Sequence, residues 1–200
     1  MRQGAIILAG GQGSRFQGKK QFELVGGKQM WELVRDKALE VFPSDAIVSV
    51  GIDIEAGASR SASVMNGLSY FDGSLDRITI LEAARPLVTV GQIRRLADNG
   101  SPSVTYALPL VNTPIGRDGS YFNREDFYDL LTPQAFDYRM LWDAYRTGKY
   151  ADTTDETVVI YREYGIRPEF IIEGENLIKV TYRRDLAVIN ALLGGTGGHE

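Results

Sequence analysis

The chain contains no cysteine and one histidine, His199, the second-last of its 200 residues. The first absence excludes disulfides, thiol nucleophiles, zinc ribbons and iron–sulfur clusters. The second removes imidazole acid–base chemistry and multi-histidine metal sites from the body of the chain, and His199 is read as inert. No apolar run approaches the ~18 residues of a membrane span. The start, MRQGAIILAGG, turns to glycine too early for a signal peptide, so a soluble, cytoplasmic protein is expected. What is present is ordinary: 44% hydrophobic and 24% charged residues, in a chain long enough to bury roughly 70% of its unfolded surface.

Charge is unevenly placed. The whole chain carries −4, yet residues 1–37 hold seven Lys/Arg against three acids, a local +4. An acidic protein with a basic, glycine-rich start suggests a local anion site rather than a nucleic-acid face.

Apolar patterning alternates short strands with helices. Strands are expected at 5–8, 46–50, 78–81, 104–110, 170–172 and 178–181, and helices at 29–41, 61–70, 91–98, 134–146, 154–164 and 184–193. That order implies an α/β fold, a mainly parallel mixed sheet flanked by helices. Gly116-Arg117-Asp118-Gly119 marks a turn in a short protruding hairpin arm at about 112–124. Tyr121, Phe122, Phe127 and Tyr128 around it are read as packing or interface residues. No linker divides the chain, so 1–193 reads as one domain and GGTGGHE, from Gly194, as a flexible tail.

The chemistry concentrates after the first strand, in Leu8-Ala-Gly-Gly-Gln-Gly-Ser-Arg15-Phe-Gln-Gly-Lys-Lys20. Glycines let backbone N–H groups approach phosphate oxygens, and Arg15 and Lys20 add charge. In an open α/β sheet, ligands bind at the carboxyl end of such a strand. A Walker A loop is excluded because Lys20 stands where Ser or Thr should bind Mg²⁺. A dinucleotide fingerprint is excluded because Phe16 replaces its third glycine.

The loop resembles the signature of the sugar-phosphate nucleotidyltransferases, and most resembles their methylerythritol-phosphate and ribitol-phosphate cytidylyltransferase branch. Six further segments match in order: Gly57-Ala-Ser-Arg60-Ser-Ala-Ser63-Val64, Glu82-Ala-Ala-Arg85-Pro86, Pro109-Leu-Val-Asn112-Thr113, Asn123-Arg124 with Thr132-Pro-Gln-Ala-Phe136, Thr154-Asp-Glu156, and Asn176-Leu-Ile-Lys179-Val-Thr181.

The resemblance implies a Rossmann-like nucleotidyltransferase fold and transfer of CMP from CTP to a polyol or sugar phosphate. It assigns Arg15, Lys20, Lys179 and Arg124 to catalysis. Ala9, Gly10, Gly11, Gly13, Gly57, Ala58, Arg60 and Ser63 fall to the nucleotide. Arg85, Asn112, Thr113 and Arg124 fall to the acceptor, and Glu82 to Mg²⁺. A homodimer through the arm is implied too, with no nucleic-acid or membrane partner.

The pattern departs at Glu82 and at Asn112 and Asn123, where the family has Asp, and at Ala58, where an acid is usual. Two alternatives stay open: transfer from another NTP, motivated by Ala58, or a catalytically weak nucleotide-binding relative, motivated by Glu82 and Asn123. Taken locally, Thr132-Pro-Gln reads as a loop and helix start. Thr153-x-x-Glu156 reads as a capping box.

Overall fold

The computed structural model describes residues 1–194. Its centre is a six-stranded sheet in the order β4 (Ile47–Val50), β1 (Gln3–Leu8), β5 (Arg77–Glu82), β7 (Tyr128–Asp137), β6 (Ser103–Pro109) and β8 (Glu169–Ile172). The pairs β4–β1, β1–β5 and β6–β8 are parallel, and β7 runs against both of its neighbours. Every residue of β5 is buried, as expected of a central strand covered on both faces. A two-stranded ribbon, β2 (Leu24–Val25) and β3 (Lys28–Gln29), lies outside the sheet.

Odd residues of β1 face one layer and even residues the other. Ala5 and Ile7 pack with Val34, Ala38, Ile93 and Leu96, which belong to α1 (Met30–Leu39) and α3 (Val90–Ala97). Ile6, Ile78 and Ile80 pack with Val64, Leu68, Leu141 and Ile160. Those side chains come from α2 (Arg60–Phe71), α4 (Tyr138–Arg146) and α5 (Glu156–Tyr164). A third, smaller cluster joins Phe16, Val25 and Met30 to Val180 and to Ile189 of α6 (Arg183–Gly194). Local chemistry sets the helix ends. Thr89 and Gln92 form a capping box on α3, Asp137 caps α4, and Gly165 stops α5 at a φ of 72°.

Three expectations are corrected. Residues 134–137 are not the start of a helix but the end of the ten-residue β7, and α4 begins at Tyr138. Proline had suggested a loop. Pro133 instead sits at a register shift, where pairing passes from Thr105–Gln134 to Tyr106–Leu131, so its missing N–H breaks no ladder bond. Residues 178–181 form no strand. Val180 makes one backbone bond, to the Ala84 carbonyl, and the alternation of buried Val180 with Lys179 survives without a partner strand. Gly194 closes α6 rather than opening a tail. The flexible tail expected beyond it, with His199, lies outside the described residues. The arm is present: Ile115 bridges Tyr121, Gly119 turns at a φ of 87°, and Phe122 meets Phe127 edge-on at 5.7 Å. Among the described residues no helix is long and apolar enough to cross a membrane.

Candidate active site

A cavity of about 380 Å³ opens at the carboxyl ends of β1 and β5. Backbone forms much of its wall: Ala9, Gly10 and Gly11 on one side, Gly57 and Ala58 on the other. Two glycines there are steric necessities. A Cβ on Gly10 would lie 2.2 Å from the Ala56 Cβ, and one on Gly57 would lie 2.4 Å from the Ala62 Cβ. Close approach of Gly10 to Ala56, and of Gly57 to the first turn of α2, therefore shapes the cavity. Ser63 completes that wall. Its hydroxyl accepts from the Gly57 N–H at 3.1 Å and donates to the Ser59 carbonyl at 3.0 Å, while Ser59 caps α2.

The charged lining is three cations, Lys20, Arg60 and Lys179, around one carboxylate, Glu82. Lys179 Nζ lies 2.5 Å from Glu82 Oε2, and Arg60 Nε lies 3.4 Å from Glu82 Oε1. Burial alone would raise the Glu82 pKa, but Lys179, Arg60 and Arg85 outweigh it and hold the carboxyl at about 2. Lys20 donates to the Val180 carbonyl at 2.5 Å. Burial pulls its pKa below the ordinary lysine range, and Lys179 and Arg15 push it further down. The cluster is therefore short of negative charge, which a polyphosphate would supply.

This arrangement coincides with a family-wide likeness. The family model for 2-C-methyl-D-erythritol 4-phosphate cytidylyltransferase matches residues 4–195. The chain belongs to this family. The cytidylyltransferase of Roseobacter denitrificans is 28% identical over the full length of both chains. That of Thermotoga neapolitana is 31% identical, over 91% of this chain and 92% of its own. Among solved structures, the bifunctional IspDF of Campylobacter jejuni superposes with a TM-score of 0.81 at 26% identity. That match covers 94% of this chain and 54% of the bifunctional one. The Thermus thermophilus cytidylyltransferase gives 0.76 at 25% identity, over 96% of this chain and 98% of its own.

Within this member of the cytidylyltransferase family, ten sequence-selected residues meet at the cavity, but not all do. Gly13 and Arg15 lie in the loop above it and do not line it. Gly13 turns that loop at a φ of 62°, where a Cβ would strike the Gly18 carbonyl, and Arg15 is exposed. Arg85 is buried and does not line the cavity. Its guanidinium donates to Thr132 Oγ1 at 2.8 Å and to the Leu177 carbonyl. Asn112, Thr113 and Arg124 belong to the arm. Arg124 Nη1 donates to the Val111 carbonyl at 3.0 Å and lines a separate surface cleft.

Several contributors escaped the sequence reading. Gln12 and Gln21 also line the cavity. Asp155, not Thr153, caps α5, leaving Glu156 free to turn inward. Gln134 and Glu156 lie in segments whose local pattern predicts only helix starts. The missed signal was an acid with an arginine-bearing motif elsewhere in the chain, a pairing only tertiary structure makes.

Proposed function

We propose that this chain transfers the cytidylyl group of CTP to 2-C-methyl-D-erythritol 4-phosphate and releases pyrophosphate. The observation that carries the reading is the meeting of Lys20 and Lys179 at a glycine-walled cavity in a chain of this family. A phosphate oxygen of the acceptor attacks the α-phosphorus of CTP, and the bond from that phosphorus to the bridging oxygen of the leaving pyrophosphate breaks. No covalent intermediate on the protein is needed. Catalysis then rests on positioning and charge neutralisation, which lysine and arginine supply without histidine or cysteine.

In this reading Ala9–Gly11 and Gly57–Ser63 hold the nucleoside. Lys20, Lys179 and Arg15 face the phosphates. Residues 1–193 act as one domain, with the arm at 112–124. The donor set also suits Mg²⁺, which is commonly bound by one or two carboxylates plus substrate phosphates. Glu82 is the carboxylate that lines the cavity, and its two oxygens meet Lys179 and Arg60, so an ion held there would displace one of those contacts; no cluster of three or more ligating side chains occurs among the described residues. Bound there with phosphate oxygens, the ion would neutralise charge on the leaving group.

Asn112, Thr113 and Arg124 need a different route to the reaction, because their own arm holds them away from the cavity lining. We propose a homodimer in which a second copy's arm completes the acceptor site. The arm's exposed apolar residues support it: Ile115 is 57% exposed and Tyr121 78%. Mixing Lys20→Ala with Arg124→Ala chains should then restore part of the activity that each lacks alone. No restoration in a verified mixed dimer would exclude shared sites.

The deciding assay is pyrophosphate release with each of the four NTPs against a panel including methylerythritol and ribitol phosphates. Turnover with CTP and methylerythritol phosphate is expected. Turnover with a different acceptor would redirect the pathway to that acceptor. CTP binding without release from any acceptor would favour a nucleotide-binding role.

A further inference from the structure

An ionic string runs from a buried acid of α5 to the open cavity. Glu156 is wholly buried, and Arg60 Nη1 lies 2.6 Å and 2.7 Å from its two carboxylate oxygens. The Tyr145 hydroxyl donates to Glu156 Oε1 at 2.9 Å. Burial pushes the Glu156 carboxyl up against the pull of Arg60, but the contact geometry is that of an ion pair. Beyond Arg60 come Glu82 and then Lys179, alternating in sign. The far end is anchored to the sheet. Gln134 Nε2 of β7 donates to Asp155 Oδ2 at 2.9 Å, and Asp155 Oδ1 accepts from the Thr157 N–H at 2.9 Å.

Such a string is a poor stability device. Well-packed apolar side chains at buried pairs are often as stabilising or more so. Its geometry suggests another use. Arginine carries five donors in a rigid fork and favours bidentate pairing with a carboxylate. Were Arg60 to present Nε and Nη2 to Glu82, the fork would take both carboxylate oxygens. Lys179 would then lose its partner.

We propose that Glu156 is a positioning residue for the cavity. By holding Nη1 against both of its own oxygens, Glu156 fixes the angle of the guanidinium, so that Nε meets one Glu82 oxygen instead of Nε and Nη2 meeting both. One Glu82 oxygen is thereby reserved for Lys179, which is held at the cavity wall. The inference deepens the cytidylyl-transfer reading and rests on it for the consequence in turnover, because Lys179 is there a phosphate-facing cation. The positional claim stands on the contacts alone.

The test compares the full-length wild type with Glu156→Gln, Arg60→Lys and Tyr145→Phe. Two kinds of readout are taken: the rate at which an amine-acetylating reagent labels Lys179, followed by peptide mass spectrometry, and kcat with calorimetric CTP affinity. Glu156→Gln should raise Lys179 labelling severalfold. It should also lower kcat about tenfold to a hundredfold, the scale of a misplaced group, with CTP affinity changed less than about threefold. Arg60→Lys keeps the charge but loses the fork, so kcat should fall without a rise in labelling. The double variant should be no worse than the poorer single one, because both break one unit. Tyr145→Phe removes the other donor to Glu156 and leaves the Arg60 pair intact, so labelling and kcat should stay at wild-type values.

Unchanged Lys179 labelling in folded Glu156→Gln would overturn the proposal. So would equal kcat losses in Glu156→Gln and Tyr145→Phe, which would mark a packing role. If Glu156→Gln does not fold, wild-type kcat in Arg60→Lys overturns it instead. A wild type that binds CTP and releases no pyrophosphate defeats the transferase reading, while the labelling comparison still decides what Glu156 does.

Discussion

Lys20 and Lys179 sit within one electrostatic environment, yet each is held by a different acceptor, the Val180 carbonyl and the Glu82 carboxylate. Both contacts are exchangeable for phosphate oxygens. Lys20→Ala should therefore lower kcat by about 10²- to 10³-fold, the scale of one lost transition-state donor. Thermal stability should move by only a few degrees, and a collapse of the melting temperature would instead make Lys20 structural. The depressed Lys20 pKa has a sign to check. Its cationic form is the useful one, so turnover should fall as pH rises through a value below the ordinary 10.5. A pH–rate profile, with Lys20→Arg moving the alkaline limb upward, reads this directly. Glu82 behaves in the opposite sense. Its carboxyl is depressed to about 2, so the stability it contributes is complete above the ordinary carboxylate range and is lost as pH falls toward that value. Glu82→Asp should reduce turnover, because the shorter side chain cannot span from Lys179 to Arg60. Wild-type kcat in that variant would show that the length of Glu82 is unimportant.

At the scale of elements, the loop from Gly11 to Lys20 is closed by backbone bonds from the Phe16 and Gly18 N–H groups to the Gly13 carbonyl, and one side chain ties it to a core. Phe16 is 1% exposed, packs in the small cluster with Val25, Met30, Val180 and Ile189, and carries the Arg183 guanidinium 5.0 Å above its ring. Phe→Ala in a core typically costs about 3–5 kcal/mol. The cluster is peripheral, so we expect Phe16→Ala to loosen the loop and α6 more than the sheet. Hydrogen exchange should rise over residues 11–20 and 183–193, with KM for CTP increased. Uniform exchange across the sheet would contradict that division. Phe16 was also what excluded a dinucleotide fingerprint from the sequence, and its packing now accounts for it: the position where that fingerprint has glycine here points into a core. The strand β7 teaches a related lesson. Tyr128–Asp137 carries a proline and polar residues, so its pattern was illegible until β5 and β6 flanked it and the register shift took Pro133 out of the ladder.

Across the whole molecule, the cavity gathers residues from four distant parts of the chain, near positions 10, 20, 60 and 82, and a fifth near 179. The arm gathers none of them. If the active unit is a dimer, placing a charge on the exposed arm face, as in Tyr121→Asp with Phe122→Asp, should yield a monomer by sedimentation. Its kcat/KM should fall without loss of CTP binding, since the cavity proposed for the nucleotide is lined by one chain. A monomeric wild type with full turnover would remove the arm from the reaction.

The sequence by itself determined the strand–helix alternation, the glycine loop after β1, the cationic identity of the site and membership of a nucleotidyltransferase family. These are local or ordered signals: hydrophobic period, glycine where backbone must approach backbone, and motifs spaced along the chain. Only tertiary structure decided which of those residues meet. Arg85 turned out to be buried against Thr132 and Leu177, and Arg124 to ride on the arm. Glu156, read as a helix start, reaches Arg60 across 96 positions. A charge pair across that separation leaves no periodic trace in the chain, because its partner is fixed by how α2 and α5 pack on one face of the sheet.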